Sequence, residues 1–355
     1  MEKLIVKNFG PIKNAEIDLT KYVVFIGDTS TGKSVLGKLI SIFRESSENL
    51  AFENNDNFIK ELNNYNINFN FENAKIKYHN NNFVIELSDN KISFIRHFKP
   101  FENLGKINPI FLNLKLKPIS VYFPAERILN SIIGNSISGL WANNVALPNY
   151  FKKFAANYEV ARKELKNATY ESFGFDYSFV NGEDTIKIKN NVISLSQSSS
   201  GIQSLIPMLI LFDYTLTKAD LKIEKSYLIE EPELNLFPIK QKNITEYIIS
   251  KLSNTINKLI ITTHSPYILS VLDTLILAKN TFNEHPELKD ELSKIISDDK
   301  WIDYDDISVY EVKNDGTVRS IKNEEFKSID SNAIDSVSDI ISEEYDKLIA
   351  LRYAD

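Results

Sequence analysis

Hydrophobic and polar residues alternate along the first hundred residues in a pattern that predicts β-strands. Leu4 and Val6 alternate with polar neighbours, and residues 22–26 form a short apolar run that ends at a glycine. Between residues 66 and 97, apolar side chains recur at every second position, and turns rich in asparagine separate the runs. We expect 22–26 to be a buried strand and 66–97 to form an antiparallel β lobe.

Farther along the chain, short apolar runs alternate with helical patterns. Residues 119–123, 227–229 and 259–263 are predicted to be buried strands. Residues 205–216 and 241–253 instead carry apolar side chains at helical spacing. Strands that alternate with helices favour a mostly parallel sheet. The pattern therefore predicts the α/β class, with a mixed sheet as the core.

Composition narrows the classes of function. The 355-residue chain has 41 basic and 48 acidic side chains and a net charge of −7, which argues against a uniformly basic surface for nucleic acid. It contains no cysteine, which excludes disulfides, thiol nucleophiles and cysteine-bound metal centres and is typical of a reducing compartment.

No segment of the sequence has the pattern of a membrane span. The longest clearly apolar stretch, Leu205–Phe212, contains Pro207 and is far shorter than the roughly 20 residues that cross a bilayer. The N-terminal residues lack the basic region, apolar core and cleavage site of a signal peptide. We expect a cytoplasmic protein with no membrane partner.

The segment after the 22–26 run fits the phosphate-binding pattern G-x-x-x-x-G-K-[S/T]. It lies between a predicted strand and a predicted helix at residues 35–43, which is the context that this motif needs. The glycines let backbone N–H groups surround phosphates, the lysine reaches the β- and γ-phosphates, and the last serine offers a hydroxyl to Mg²⁺. The predicted loop consists of Gly27, Asp28, Thr29, Ser30, Thr31, Gly32, Lys33 and Ser34.

Acidic residues follow the apolar run 227–229. Glu230, at the strand end, is expected to reach Mg²⁺ through its water shell, and Glu231 is expected to polarise the attacking water. The Asn-Lys pairs at 90–91 and 257–258 lack the aspartate that would complete a guanine-reading motif. Guanine specificity is therefore disfavoured.

Two further motifs complete the set of candidate residues. The apolar run 259–263 ends in His264, which is expected to hydrogen-bond the γ-phosphate and sense its presence. A turn of small residues, Ser199, Ser200 and Gly201, opens an apolar helix and offers hydroxyls and N–H groups to an anion.

In this order, the phosphate loop, the Ser-Ser-Gly turn, Glu-Glu-Pro-Glu and Thr-His-Ser-Pro resemble the motifs of one family. This family is the ABC-type ATPases of the SMC, RecF and overcoming-lysogenization-defect (OLD-like) group. Residues 6–12 resemble the opening strand of the group, and residues 123–127 resemble a segment of its small bacterial members. The resemblance spans about residues 1–275 and implies a P-loop NTPase of the ABC-ATPase head type that hydrolyses ATP with Mg²⁺.

The resemblance also implies a homodimer. In this group two heads enclose two nucleotides, so the turn 199–201 of one copy would meet the γ-phosphate held by Lys33 of the other. The sequence departs from the usual pattern in its Glu-Glu pair, in its Ser-Ser-Gly-Ile-Gln signature and in the lack of an obvious metal-binding Q-loop glutamine. The long coiled-coil arms of SMC proteins are also missing.

Four segments are predicted. Residues 1–124 carry the phosphate loop and the antiparallel β lobe, and residues 125–190 form an inserted helical subdomain. Residues 191–275 contain the Ser-Ser-Gly turn, the acidic strand end and the switch histidine. Residues 276–355 form a C-terminal cap that ends in an amphipathic helix.

The last 80 residues bear on whether the chain carries an effector domain of its own. Asp303, Asp305 and Asp306 are interpreted as an acidic loop and not as a nuclease site, because no sustained buried strand precedes them. The chain then resembles the stand-alone ATPase subunits of anti-phage systems such as Septu and PARIS, in which a separate nuclease acts. The alternative is a RecF/SMC-like DNA-repair or DNA-clamping ATPase with DNA as its partner. A transporter subunit fits the motifs poorly.

Overall fold

The computed structural model describes residues 2–46, 55–81, 83–88, 91–96, 119–133, 139, 142–143, 145–217, 223–330 and 336–353. In chain order the strands are β1 (Lys3–Phe9), β2 (Ile12–Asp18), β3 (Tyr22–Ile26), β4 (Lys75–His79), β5 (Phe83–Ser88), β6 (Lys91–Arg96), β7 (Ile119–Phe123), β8 (Asn167–Tyr170), β9 (Phe175–Val180), β10 (Glu183–Ile188), β11 (Asn191–Ser194), β12 (Lys225–Glu230), β13 (Lys258–Thr263), β14 (Ile307–Val312), β15 (Val318–Ser320), β16 (Lys322–Asn323) and β17 (Ser328–Ile329).

The α-helices are α1 (Lys33–Ser46), α2 (Asn55–Asn64), α3 (Ile128–Ile133), α4 (Asn149–Leu165), α5 (Ser200–Thr217), α6 (Pro238–Leu252), α7 (Pro266–Glu284), α8 (Lys289–Ile295) and α9 (Ser336–Arg352). Short 3₁₀ turns connect several of them. Among the described residues, no helix is both long and apolar enough to cross a membrane.

The central sheet brings the predicted motifs to one edge. Its strand order is β15-β14-β3-β13-β12-β7, and all neighbours are parallel except the edge pair β14–β15. Ile26 at the end of β3 lies opposite Thr263, and Thr262 lies opposite Glu230 at the end of β12. Because parallel strands end at the same edge, the segments that follow β3, β12 and β13 lie side by side.

Both faces of this sheet are covered, which explains why all of its strands except the edge strand β15 are buried at nearly every position. One face packs against α1 and the antiparallel lobe, and the other packs against α5, α6 and α7. The first core includes Val23, Phe25, Leu36, Leu39, Leu228 and Ile260, and the second includes Val24, Ile26, Leu209, Ile229, Ile248, Ile261 and Leu272.

The predicted antiparallel lobe is confirmed in part. It is a five-stranded sheet in the order β2-β1-β4-β5-β6. The prediction of extended structure from residue 66 is wrong, because residues 66–74 are loop and turn and strand β4 begins only at Lys75. Asn66 and Asn73 have φ values of 56° and 61°, which interrupt an extended backbone. Residue 97, at the predicted end of the lobe, lies outside the described residues.

Residues 125–190 are helical only in their first part. The second of the two helices, α4, ends at Leu165, and residues 167–194 form a separate antiparallel sheet in the order β11-β10-β9-β8. The prediction of a helical subdomain is therefore wrong for the second part. The reason is the alternation of buried and half-buried residues there, with Phe175, Tyr177 and Ile186 facing the core.

The predicted C-terminal cap is also only partly correct. Strand β14 pairs with β3 in parallel, so residues 307–312 belong to the central sheet and do not cap it. Ile307 and Val309 are fully buried, and this short apolar run is the signal that the sequence interpretation overlooked. The predicted terminal helix is confirmed as α9, with Ile341, Tyr345 and Leu348 exposed.

Candidate functional site

At two positions, the loop between β3 and α1 has a backbone that glycine alone can adopt without strain. Gly27 and Gly32 have φ values of 153° and 108°. A β-carbon on Gly27 would lie 2.2 Å from the carbonyl oxygen of Val312, and one on Gly32 would lie 2.6 Å from Ile12. The loop is thus held between the end of β14 and the start of β2. No pattern in the sequence indicated the support from Val312.

Side chains within the loop stabilise this shape. Thr31 Oγ1 donates to the carbonyl oxygen of Asp28 at 3.0 Å, and the Asp28 carboxylate accepts from the N–H of Thr29 at 2.6 Å. The backbone hydrogen bond from Thr29 is the main reason that the pKa of Asp28 is lowered. The loop therefore holds a fixed curve before α1 begins, as a phosphate cradle requires.

Lys33 lies buried beneath this curve. Its Nζ donates to the carbonyl oxygens of Gly27 at 3.0 Å and Asp28 at 2.7 Å. Burial lowers the pKa of Lys33 to about 8, although the surrounding carboxylates, Glu231 first among them, oppose this effect. The side chain remains mostly protonated at pH 7, so a cation is available where the motif places the β- and γ-phosphates.

His264 lies between Lys33 and Glu231. Its Nδ1 is 3.4 Å from Lys33 Nζ, and its Nε2 is 3.4 Å from Glu231 Oε1. The lysine ammonium can only donate and the carboxylate accepts, so the contacts fit a neutral imidazole with its proton on Nε2. Three residues that the sequence analysis selected separately therefore form one connected group.

The backbone of Glu231 is strained. Its φ is 45°, a left-handed conformation that costs a non-glycine residue about 1–3 kcal/mol and persists only where neighbours enforce it. The N–H of Glu231 donates to the carbonyl oxygen of Thr262 at 2.8 Å. Its own carbonyl oxygen accepts from Arg127 Nη2 at 2.6 Å. Both polar groups of this residue's backbone are thus held by other segments.

Glu233 is a site residue that the sequence analysis did not assign. Its Oε1 accepts from Thr263 Oγ1 at 2.6 Å and from the N–H of His264 at 2.8 Å. One carboxylate oxygen therefore fixes the point where β13 turns into the histidine segment. The only signal in the sequence was the third glutamate of Glu-Glu-Pro-Glu.

Glu230 has the environment of a metal-binding carboxylate. The residue is 5% exposed, its Oε1 has no hydrogen-bond partner among the described residues, and Lys38 Nζ lies 3.9 Å away. Burial raises the pKa of Glu230, and Lys38 and the hydroxyls of Tyr122 and Ser34 act in the opposite direction. A buried carboxylate oxygen without a partner is costly unless a cation takes it up.

These residues fit Mg²⁺. Carboxylate and hydroxyl oxygens are the ligands that Mg²⁺ prefers, and the Ser34 hydroxyl and the Glu230 carboxylate would hold the ion. When bound, the ion neutralises charge on the phosphate oxygens.

The turn at 199–201 lies apart from this group. Ser199 and Ser200 are exposed, and Gln203 Nε2 braces the turn by donating to the carbonyl oxygens of Ser196 and Ser198. No hydrogen bond or ion pair between described residues joins the turn to the loop 27–34. The structure therefore unites the loop, Glu230, Glu231 and His264, but leaves the turn free of the loop of its own chain.

The acidic segment near residue 305 is a short turn. Residues Tyr304–Asp306 form a 3₁₀ turn, and the Asp303 side chain accepts from the N–H of Asp305 at 3.2 Å. Within the described part of the chain, no three His, Cys, Asp or Glu side chains are grouped so as to hold a metal ion.

Comparison with known proteins identifies the class. Residues 126–269, less than half of the chain, match the family model described as AAA_15: AAA ATPase domain. The protein is an ATP-hydrolysing enzyme with an α/β fold in which a P-loop joins β3 to α1, as the sequence predicted. No curated protein sequence matches the chain.

Solved structures with similar folds include SMC heads. One is an SMC head bound to the C-terminal winged-helix domain of ScpA, with 14% identity, a TM-score of 0.48 and coverage of 90% of this chain and 96% of that chain. The SMC head domain from Thermotoga maritima has 14% identity, a TM-score of 0.42 and coverage of 76% and 90%. An SMC head with an extended coiled coil, bound to the C-terminal domain of ScpA derived from Pyrococcus furiosus, has 14% identity, a TM-score of 0.45 and coverage of 96% and 100%.

Proposed function

We propose that the chain is an ABC-type ATPase of the SMC/RecF-like kind that binds and hydrolyses ATP with Mg²⁺ between two copies. The observation that carries this proposal is the connected group Lys33, His264 and Glu231 beside the Oε1 of Glu230, which has no hydrogen-bond partner among the described residues. It combines a phosphate-binding cation, a candidate base, a sensor and a metal ligand at one edge of the sheet.

Each residue has a separate role in this proposal. The loop from Gly27 to Ser34 holds the phosphates, and Ser34 and Glu230 hold Mg²⁺. Glu231 polarises the attacking water, and His264 contacts the γ-phosphate. Glu233 keeps His264 in position through the N–H of the histidine.

The exposed turn at 199–201 supports a site shared by two copies. It opens helix α5, so its N–H groups and hydroxyls are available to an anion, yet among the described residues no hydrogen bond or ion pair joins it to the loop of its own chain. Gly201 packs closely on the segment after the glutamates, since a β-carbon there would lie 2.8 Å from the carbonyl oxygen of Asn235. A second copy would bring this turn to the γ-phosphate held by the first.

Mixing two inactive variants tests the shared site. Lys33→Ala disables the loop and Ser200→Arg blocks the exposed turn, so each protein alone should have only background turnover. In a mixed dimer, one site combines the intact loop of one chain with the intact turn of the other. Each mixed dimer has one intact site of two, so we expect up to about half the wild-type rate per mixed dimer and about a quarter for a randomly paired 1:1 mixture. A mixture that stays at background would contradict a site built from two chains.

We further propose that the ATP cycle controls a separate effector, a nuclease in anti-phage defence. The support for this is the resemblance of the motif set to the stand-alone ATPase subunits of anti-phage systems, in which a separate nuclease acts. The activity of the nuclease would then depend on the closed state of the ATPase and not on the rate of ATP hydrolysis itself.

A capture experiment separates this output from DNA clamping. Glu231→Gln with ATP and Mg²⁺ is used as bait in extract from the native host, and Lys33→Ala under the same conditions is the control. We expect a nuclease to be retained by the first protein and not by the second. Salt-sensitive retention of duplex DNA without a protein partner would contradict effector control and favour DNA repair or clamping.

A further inference from the structure

Arg127 is the largest fully buried side chain outside the residues assigned above. It follows β7 in a 3₁₀ turn, and its guanidinium is completely shielded from solvent. The pKa of Arg127 is lowered by burial to about 10, so the side chain still carries its charge at pH 7. A buried cation is costly unless it is well hydrogen-bonded, which raises the question of what it holds.

The guanidinium binds only backbone carbonyl oxygens. Nη1 donates to Glu230 at 2.7 Å and to Pro124 at 3.1 Å, and Nη2 donates to Glu231 at 2.6 Å. Nε donates to Ser204, in helix α5, at 3.2 Å. The rigid guanidinium therefore joins the end of β7, the backbone of Glu230 and Glu231, and helix α5, which begins in the turn 199–201.

A second bond strengthens the same connection. Ser131 Oγ, in helix α3, donates to the carbonyl oxygen of Gln203 at 2.6 Å. Arg127 and Ser131 thus hydrogen-bond two consecutive carbonyl groups, those of Ser204 and Gln203, near the start of α5. The Gln203 side chain in turn braces the turn through Ser196 and Ser198. The position of the turn is therefore linked mechanically to the position of Glu231.

We propose that Arg127 is a positioning residue for ATP hydrolysis, which holds Glu231 in its left-handed conformation and couples this residue to helix α5. Without the bond from Arg127, the backbone of Glu231 retains the bond from its N–H to Thr262 and the bond from the N–H of Leu234, three residues on, to its carbonyl oxygen at 3.0 Å. Neither bond ties it to β7 or to helix α5, so its backbone can relax with the turn that follows it. The carboxylate would then leave its place beside His264. The inference rests on the proposed function, because it requires Glu231 to act on the attacking water.

Arg127→Lys tests whether the planar guanidinium is needed. Lysine keeps the charge but has one side-chain nitrogen and cannot hydrogen-bond all four carbonyl groups. We expect Arg127→Lys to lower kcat by about 10–100-fold, because small displacements of a catalytic group have effects of this size. The KM for ATP and the affinity for a fluorescent ATP analogue should stay within about twofold of wild type. Arg127→Gln keeps amide donors without a buried charge, and it should likewise lower kcat while leaving the KM and the affinity for ATP nearly unchanged.

The matched control is Arg162→Lys. Arg162 is also buried, but it binds Asp184 and Glu159 away from the site. We expect this variant to melt at a lower temperature and to keep the wild-type kcat well below its melting point. If Arg127 were only structural, both substitutions would affect melting and neither would affect kcat.

A double mutant distinguishes a failure of the positioning role of Arg127 from a failure of the proposed function. In the Glu231→Gln background, adding Arg127→Lys should leave the single-turnover rate nearly unchanged, because the residue through which Arg127 acts is already disabled. Full, additive loss in both backgrounds would overturn the positioning role. So would wild-type kcat in Arg127→Lys, or a parallel loss of ATP binding. If Glu231→Gln itself kept normal turnover, the proposed function would fail and not this inference alone.

Discussion

Lys33→Ala is expected to lower the affinity for ATP by about 10²–10³-fold, which corresponds to the loss of a buried charge contact to phosphate. Lys33 is the cation beneath the loop, and its present partners are carbonyl oxygens of that loop. Alanine leaves the loop backbone in place but removes the charge that the β- and γ-phosphates would meet. Titration of a fluorescent ATP analogue measures the effect.

The control for this variant lies before β3, at the end of that strand opposite the phosphate loop. Lys21 precedes β3 and donates to the carbonyl oxygen of Ser253. Lys21→Ala removes the same side chain and should leave the affinity for ATP unchanged. Normal binding by Lys33→Ala would contradict the assignment of the phosphate loop.

Glu231→Gln is expected to bind ATP normally and to hydrolyse it about 10²–10⁴-fold more slowly, the usual effect of removing a general base. Glutamine keeps the size and one acceptor oxygen of the side chain, so contacts near His264 can persist. It cannot take a proton from water. Phosphate release under saturating ATP measures the rate.

A buried glutamate elsewhere provides the comparison for Glu231. Glu246 lies in α6, where it pairs with Lys242 and Lys300. Glu246→Gln changes the charge in the same way and should leave turnover unchanged. Unchanged turnover in Glu231→Gln would move the catalytic role elsewhere, and Glu233 would be the first residue to examine.

The central part of the fold could be predicted because each of its strands and the motif that follows it can be recognised from a few consecutive residues. A short apolar run that ends in glycines or carboxylates is typical of a buried parallel strand followed by a functional loop. For this reason β3, β12 and β13 and their terminal motifs were found, and the common strand edge followed from parallel pairing.

The prediction failed where pairing is distant in sequence. Strand β14 pairs with β3 although nearly 290 residues separate Ile307 from Tyr22, and no local pattern distinguishes such a strand from one in a cap. The sheet at 167–194 was partly hidden because its strands are short and only half buried. Residues 66–74 alternate like a strand, but two asparagines with positive φ interrupt it.

The candidate site was predictable to the level of its motifs and not to that of its supports. Lys33, Glu231 and His264 follow from type and position, since few side chains can do their chemistry. Arg127 and Glu233 act on backbone groups of other segments, and such contacts leave no periodicity in the sequence. Only the folded chain shows what they hold.

The central claim is that two copies close on ATP, and the mass of Glu231→Gln in solution tests it most directly. The protein is measured by size-exclusion chromatography with light scattering, with Mg²⁺ and either ATP or ADP. We predict the mass of two chains with ATP and of one chain with ADP, and we predict that adding Ser200→Arg abolishes the dimer. A mass that is the same with both nucleotides would contradict closure on ATP.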